Sequence, residues 1–409
     1  MDIQPVIHYT LVIIILLNYA GNTMKNSNYL VPLMLVLSVG TSVNAEPVIN
    51  NASQQLFEIQ NTCIIKFDDS ISKFDVEGMA RGMLTSANAK AKHIYTHSIK
   101  GMAVKLNCAK AKLAFVNYSE IVSYEHDGLV VAFPRKEKPT KPGGDGDTPS
   151  TAQTTPWGVT HVVGDIEYPG NGRTAWILDT GIDLAHPDLN VDTSRGYSAF
   201  SKGRNAGFND GHGHGTHVAG TIAAIDNDID VVGIAAGATV VPVKVLDSRG
   251  SGSYSGIIAG IDHVAAYGEA GDCANLSLGG GKNEALNDAV IAAAGKGIYF
   301  ALAAGNESQD ANNVSPASAN DTNVYTISAI ASNNYFASFS NYGNPPIDFA
   351  APGVNILSLK KGGGTTTMSG TSMAAPHACA VLMITGGVPN SLGTANGDPD
   401  GNADPIIHL

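Results

Sequence analysis

Between residues 173 and 359 short apolar runs alternate with Gly/Ala-rich helical stretches, and no other feature restricts the fold as much. The apolar runs fall at 173–178, 239–245, 274–278, 298–303, 324–330 and 349–359, and the helical stretches at 214–225, 256–268 and 283–295. Strands separated by helices give βαβ units, which pack as a doubly wound, mostly parallel sheet with helices on both faces. The expected class is therefore α/β. Ligands in such sheets sit beyond the carboxyl ends of the strands, so polar residues directly after apolar runs are where chemistry is expected.

Three such places stand out. Ala175-Trp176-Ile177-Leu178 ends in Asp179-Thr180-Gly181, a carboxylate where the chain turns on glycine. The stretch from Asp210 to Thr221 contains His214-Gly215-Thr216-His217, in which His214 opens an Ala/Gly helix suited to close packing. Ala303-Ala304-Gly305-Asn306 places a neutral amide after an apolar strand. Late in the chain, Thr367-Met368-Ser369-Gly370-Thr371-Ser372 leads into an apolar run from Met373 to Ile384. A serine at such a helix start has unpaired backbone N–H groups and the positive end of the helix dipole beside it. Read alone, Ser372 is equally an ordinary N-cap. Taken together, the four residues supply what acyl transfer needs. In the roles that the family resemblance given next implies, Ser372 would attack, His214 would remove its proton, Asp179 would fix the imidazole, and Asn306 with the Ser372 N–H would stabilise the oxyanion.

These motifs, in this order, resemble the subtilisin-like serine proteases, and the resemblance covers residues 153–387. It implies a serine endopeptidase with Asp179, His214, Ser372 and Asn306 as the catalytic set. His217, one turn beyond His214, is expected to be structural. A zinc cluster of His212, His214 and His217 lacks the glutamate of the usual metalloprotease helix. A secreted esterase would need a Gly-x-Ser-x-Gly elbow with its serine first, whereas this chain has its serine last. An inactive peptide-binding relative is the alternative, and the complete catalytic set stands against it.

The resemblance also places the substrate. Gly250, Ser251, Gly252 and Tyr254 resemble one edge strand of the substrate cleft, and Ser277, Leu278 and Gly279 the facing one. An extended polypeptide between them gains main-chain hydrogen bonds whatever its sequence. Tyr254 is expected to shape a pocket for apolar or aromatic side chains. A structural calcium ion is implied as cofactor, held by Gln153, Asp188, Ile225, Asn227, Ile229 and Val231, mixed amide, carboxylate and main-chain oxygens of the kind Ca2+ takes. A second calcium-like string, Asp398-Pro399-Asp400-Gly401-Asn402-Ala403-Asp404, matches no motif of the family and reads as part of a disordered acidic tail.

Residues 46–133 read as a compact α+β unit, with strands at 63–67, 101–106 and 129–131 and a helix at 72–87. It resembles the family's inhibitor-type propeptide, which implies an intramolecular inhibitor and folding aid. Self-cleavage is expected within about ten residues before Gln153. Residues 134–150, rich in charge, Pro and Gly, form a flexible linker. The expected organisation is thus a signal region at 1–45, the pro-domain at 46–133, the linker, a catalytic domain at 151–390 and a polar acidic tail at 391–409.

At the N-terminus, Met24-Lys25, the apolar run 30–37 and Val43-Asn44-Ala45 form a complete signal peptide, so translation is expected to start at Met24. The other reading is an N-terminal anchor built from the runs at 11–17 and 29–37. Export to the extracellular space, or to a periplasm, follows from the signal peptide. Residues 151–409 hold 10 Lys+Arg against 23 Asp+Glu, a balance that speaks against nucleic acid as partner. No membrane association is expected after signal removal, and the protein is expected to be a monomer. Four cysteines permit two disulfides, Cys63 and Cys108 lying before the linker and Cys273 and Cys379 after it. Buried free thiols fit equally well.

Overall fold

The computed structural model describes residues 51–132, 152–164 and 173–409. The expectations for the signal region, for the start at Met24 and for the linker fall outside the described residues. Among those described, no helix is long and apolar enough to cross a membrane.

The larger part is built on a ten-stranded sheet. Its core is parallel, in the order Ile347–Pro352, Val324–Ile330, Tyr299–Ala303, Cys273–Leu276, Thr174–Asp179 and Thr239–Lys244. Side chains alternate across each strand, so both faces of these apolar runs find a core. Ala175 and Ile177 join helices His214–Ala223 and Thr371–Thr385 on one face. Trp176 and Leu178 join helices Tyr254–Tyr267 and Glu284–Ala294 on the other. The fold is therefore the doubly wound α/β arrangement that the alternation predicts.

Four details differ from the sequence reading. The run at 349–359 is two strands, because the chain turns after Pro352 and Ile356–Leu359 leaves the sheet to pair with Thr365–Met368. The stretch between Asp183 and Asp210, whose Gly, Asn and Ser content reads as a surface loop, is not only loop, since Asn190–Val191 and Tyr197–Ser198 pair with Thr239–Lys244 at the sheet edge. The helix expected at 256–268 starts earlier, at Tyr254, with the Ser253 hydroxyl accepting the Gly256 N–H as its cap. Finally, residues 391–409 are not a free tail. Asn390–Thr394 and Pro405–His408 extend the other edge of the sheet, and Ile406 and Ile407 are buried on opposite faces. Asp404 is buried with them. Its carboxylate accepts Ser328 Oγ at 2.5 Å and Asn344 Nδ2 at 2.9 Å, so its charge is paired by hydrogen bonds rather than left to solvent.

The N-terminal α+β unit is a four-stranded antiparallel sheet in the order Ala91–Tyr95, Gly101–Val104, Cys63–Phe67 and Ile121–His126. Cys63, Ile65 and Phe67 pack under helices Lys73–Ser86 and Cys108–Ala114. The alternate residue Ile64, with Tyr95 and Ala103, joins the core over helix Tyr254–Tyr267. Asp262 of that helix accepts the backbone N–H groups of Thr96, His97 and Ser98 at 3.1, 2.7 and 2.7 Å. Lys66 reaches Asp288 at 2.6 Å. The expected last strand, observed as Leu129–Ala132, does not join this small sheet. It lies between Ser251–Ser253 and Leu278–Gly281, antiparallel to both. The cysteines form two disulfides, Cys63–Cys108 and Cys273–Cys379, and neither crosses between the two parts.

Candidate active site

Asp179 is the last residue of its strand and is fully buried. His214 Nδ1 lies 2.9 Å from Asp179 Oδ1 and 2.8 Å from Oδ2. Gly215 makes this approach possible, since a Cβ there would stand 2.1 Å from the Gly181 carbonyl oxygen and 3.1 Å from Asp179 Oδ1. His214 Nε2 is buried and has no hydrogen-bond partner among the described residues.

Ser372 is not the N-cap of its helix, as one reading of the sequence allowed. That place is held by Gly370, at φ 150°, and Ser372 is the second helical residue. Pro376 lies four residues further on, so its missing N–H is the one that would bond the Ser372 carbonyl. The Ser277 hydroxyl fills that gap, donating to Ser372 O at 2.7 Å. In return Ser372 Oγ donates to Ser277 O at 3.1 Å. Ser277 Oγ is itself held by Asn275 Nδ2 at 2.8 Å, and all three residues are buried.

Asn306 leaves the strand Tyr299–Ala303 and meets the same helix start. Its Oδ1 accepts both the N–H and the Oγ1 of Thr371 at 3.0 Å, which turns the amide so that its NH2 end is the donor. Thr371 was missed by the sequence reading because this contact joins residues far apart in the chain. His217 is buried, with Nε2 3.0 Å from Ile356 O. Burial, with His214 nearby, pushes its pKa down to about 3, so it is a neutral structural histidine.

The two expected substrate strands face one another across the strand Leu129–Ala132. Ser251 pairs with Val131 and Gly252 with Val130, while Leu278 pairs with Ala132 and Gly279 with Val131. Ala132 donates its N–H to Gly250 O at 2.9 Å. Tyr254 stands at the head of its helix rather than on the strand. Its hydroxyl donates to Gly281 O at 2.5 Å, and its ring lies so close to Gly128 that a Cβ there would be 2.4 Å from Cε2. Asp127, also missed, accepts the Ser255 N–H at 3.0 Å and its hydroxyl at 2.6 Å, capping the helix from the N-terminal unit.

Hydrogen bonds link the six residues expected as calcium ligands. Gln153 Nε2 donates to the carbonyls of Ile225 at 2.7 Å and Val231 at 3.3 Å, and Asn227 Nδ2 donates to Asp188 Oδ1 at 2.7 Å. Ile229 is tied to Asn227, its N–H on Asn227 Oδ1 at 2.8 Å, and its side chain is exposed. Asp188 is fully buried and its Oδ2 has no partner. Burial pushes its carboxyl up to about 6 against the hydrogen bonds from Asn227 and the Val231 main chain. Among the described residues no three His, Cys, Asp or Glu side chains form a metal cluster.

A profile of peptidase group S8, described as the subtilase family, matches residues 170–390. The cuticle-degrading protease of Metarhizium anisopliae is 36% identical over 364 residues, covering 85% of each chain. The subtilisin-like serine protease AsES of Sarocladium strictum is 39% identical over 336 residues, covering 81% of this chain and 80% of that one. The crystal structure of a cold adapted subtilisin-like serine proteinase superposes with a TM-score of 0.56 at 34% identity, over 63% of this chain and 98% of that one. Sequence profile, relatives and the solved structure agree, and the chain belongs to the subtilase family of serine endopeptidases.

Proposed function

We propose that the chain is a zymogen that is exported and hydrolyses internal bonds of extended polypeptides through an acyl-enzyme on Ser372. The observation that carries this reading is the bond of His214 Nδ1 to both oxygens of buried Asp179, with Nε2 buried and unpartnered. A carboxylate on Nδ1–H leaves Nε2 as the proton acceptor. In the state described here the Ser372 hydroxyl donates to Ser277 O. To react it turns to His214 Nε2, which takes the proton as Oγ attacks the substrate carbonyl carbon. Asp179 stabilises the imidazolium. Asn306 Nδ2 and the Ser372 N–H, which lacks an intrahelical acceptor in the first turn, stabilise the oxyanion. The imidazolium then protonates the leaving amine as the C–N bond breaks, and water repeats the sequence to release the acyl group.

Gly250, Ser251, Gly252, Ser277, Leu278 and Gly279 bind the polypeptide main chain, and Tyr254 lines an upstream pocket. The strand Leu129–Ala132 in that place supports the N-terminal unit as an inhibitory, fold-assisting propeptide. Self-cleavage within about ten residues before Gln153 would then free the N-terminal unit from the rest of the chain. Two disulfides suit an exported protein.

The residues expected to hold Ca2+ fit it. Asp188 Oδ2 is an orphaned buried oxygen, and turning the Gln153 amide over adds another beside the Ile225 and Val231 carbonyls. Bound there, the ion supplies positive charge that pins residues 225–231 to Gln153 and Asp188.

Ser372→Ala and His214→Ala test the reading. Each is expected to lose casein hydrolysis by roughly 10^4-fold or more, and the Ser372 variant to remain unprocessed when no protease is added. Retained hydrolysis overturns the catalytic assignment. Capture of casein peptides without cleavage by the unaltered protein marks an inactive peptide-binding relative.

A further inference from the structure

Two residues outside the reacting set join the aspartate strand to the histidine helix. Thr180 follows Asp179, and every polar atom it carries is partnered. Its N–H donates to Asp179 Oδ1 at 2.6 Å, and its carbonyl oxygen accepts the ammonium of buried Lys244. Its hydroxyl donates to Asp210 Oδ1 at 2.9 Å and accepts the Gly215 N–H at 3.0 Å. Gly215 follows His214. One hydroxyl therefore bridges the residue after the aspartate and the residue after the histidine.

Asp210 completes the tie. Its Oδ1 also accepts the N–H groups of His212 and Gly213, both at 2.8 Å. Its Oδ2 accepts the N–H of Thr216 at 3.0 Å and the Thr216 hydroxyl at 2.7 Å. The helix that begins at His214 has Gly213 in its N-cap place, with no side chain to satisfy the first turn. The buried Asp210 carboxylate does so from outside the helix, where the dipole also favours an anion. Burial alone would push its carboxyl up, and the hydrogen bonds from Thr216, Gly213 and His212 outweigh that and hold it below the ordinary value.

We propose that Thr180 and Asp210 are positioning residues, which set the distance and angle at which Asp179 meets His214 by fixing the backbone on either side of both. The proposal rests on the reading of Asp179, His214 and Ser372 as the reacting set. Its logic is geometric. The ring of His214 is held by hydrogen bonds on Nδ1 alone, so the place of its Nε2 depends on how the helix start is fixed against the end of the strand. A displacement of about 1 Å in such a set costs on the order of 100-fold in rate.

Thr180→Val removes the hydroxyl at nearly constant volume, Thr180→Ser keeps it, and Asp210→Asn removes the charge and two acceptor sites. Rates on a peptide p-nitroanilide are expressed per active serine, counted by titration, so any loss of folded protein drops out. Thr180→Val and Asp210→Asn are expected to lower kcat by roughly 10- to 100-fold with KM within about twofold, and Thr180→Ser to stay within about threefold of the parent. The double variant Thr180→Val/Asp210→Asn is expected to lose little more than the worse single one, since the two act as one unit. Thr180→Val with the parent's kcat, or a loss that falls on KM, overturns the proposal. Should Asp210→Asn fail to accumulate, the Thr180 pair decides alone. Ser372→Ala and His214→Ala run beside them keep the two readings apart. If those retain activity the reacting set is wrong, and if they are dead while Thr180→Val is normal, only the positioning role fails.

Discussion

Pro376 inside the serine helix makes a prediction that runs against ordinary intuition about proline. Its missing N–H leaves the buried Ser372 carbonyl to the Ser277 hydroxyl at 2.7 Å, and that hydroxyl is also the acceptor for Asn275 Nδ2 at 2.8 Å. Ser277→Ala strands both groups in the interior. An unsatisfied buried donor or acceptor costs about 1–3 kcal/mol, so the variant should lose roughly 2–5 kcal/mol of stability, against almost nothing for the same change on a surface. At about 2–4 °C per kcal/mol for a domain of this size, the unfolding midpoint falls by roughly 4–20 °C. Pro376→Ala returns an N–H at the one place from which it can bond Ser372 O. In the Ser277→Ala background that change should recover about 1 kcal/mol or more, whereas in the parent it competes with a bond already made and recovers less. The assay is a thermal scan of the four proteins, each blocked with a serine-directed inhibitor to prevent autolysis and run at one scan rate. A cycle that is additive within about 0.5 kcal/mol would refute the reasoning, because the proline and the hydroxyl would then not share an acceptor.

Other outcomes follow from the same structure. The Cys273–Cys379 bridge closes a separation of 106 residues between the strand before Ser277 and the serine helix. Replacing both cysteines by alanine should cost about 4–5 kcal/mol on the chain-entropy account, seen as a lower unfolding midpoint, while the Cys63→Ala/Cys108→Ala pair should leave the processed enzyme unchanged. Calcium chelation should lower the midpoint of the parent and leave that of Asp188→Asn where it is; equal shifts in both would place the ion elsewhere. Burial pushes the Asp404 carboxyl up to about 6, against the hydrogen bonds from Ser328 and Asn344. A folded value above the unfolded one of about 4 means that stability is fully present below pH 4 and is lost as pH rises through about 6. Asp404→Asn should therefore gain on the parent between pH 4.5 and 7.5 in thermal scans, and a gap that does not change with pH would contradict this origin.

How far the sequence could be read depends on how local each cause is. Asp179 at a strand end and His214 at a helix start are set by a few neighbours, with Gly215 permitting their approach, so the motif carries the geometry. The contacts that orient these groups are not local. Ser277 meets Ser372 across 95 residues and Thr371 meets Asn306 across 65, and only the assembled sheet brings them together. The C-terminal segment misled for a different reason. Pro405–His408 is a short strand behind an acidic string, and its two isoleucines find their cores only because the edge at Ile347–Pro352 lies open to it. Asp404 reads as a solvated charge until Ser328 and Asn344 are placed around it. The break after Pro352 was hidden because the residues on both sides are apolar, and each side has a partner of its own.

The central claim, that His214 activates Ser372, is tested most directly by mapping where a fluorophosphonate attaches. The processed enzyme should carry one label, on the tryptic peptide containing Ser372, and His214→Ala, cut to the same length by an added protease, should label at least about 10^3-fold more slowly with its fold intact. A label on another residue, or an unchanged rate in His214→Ala, would contradict the account.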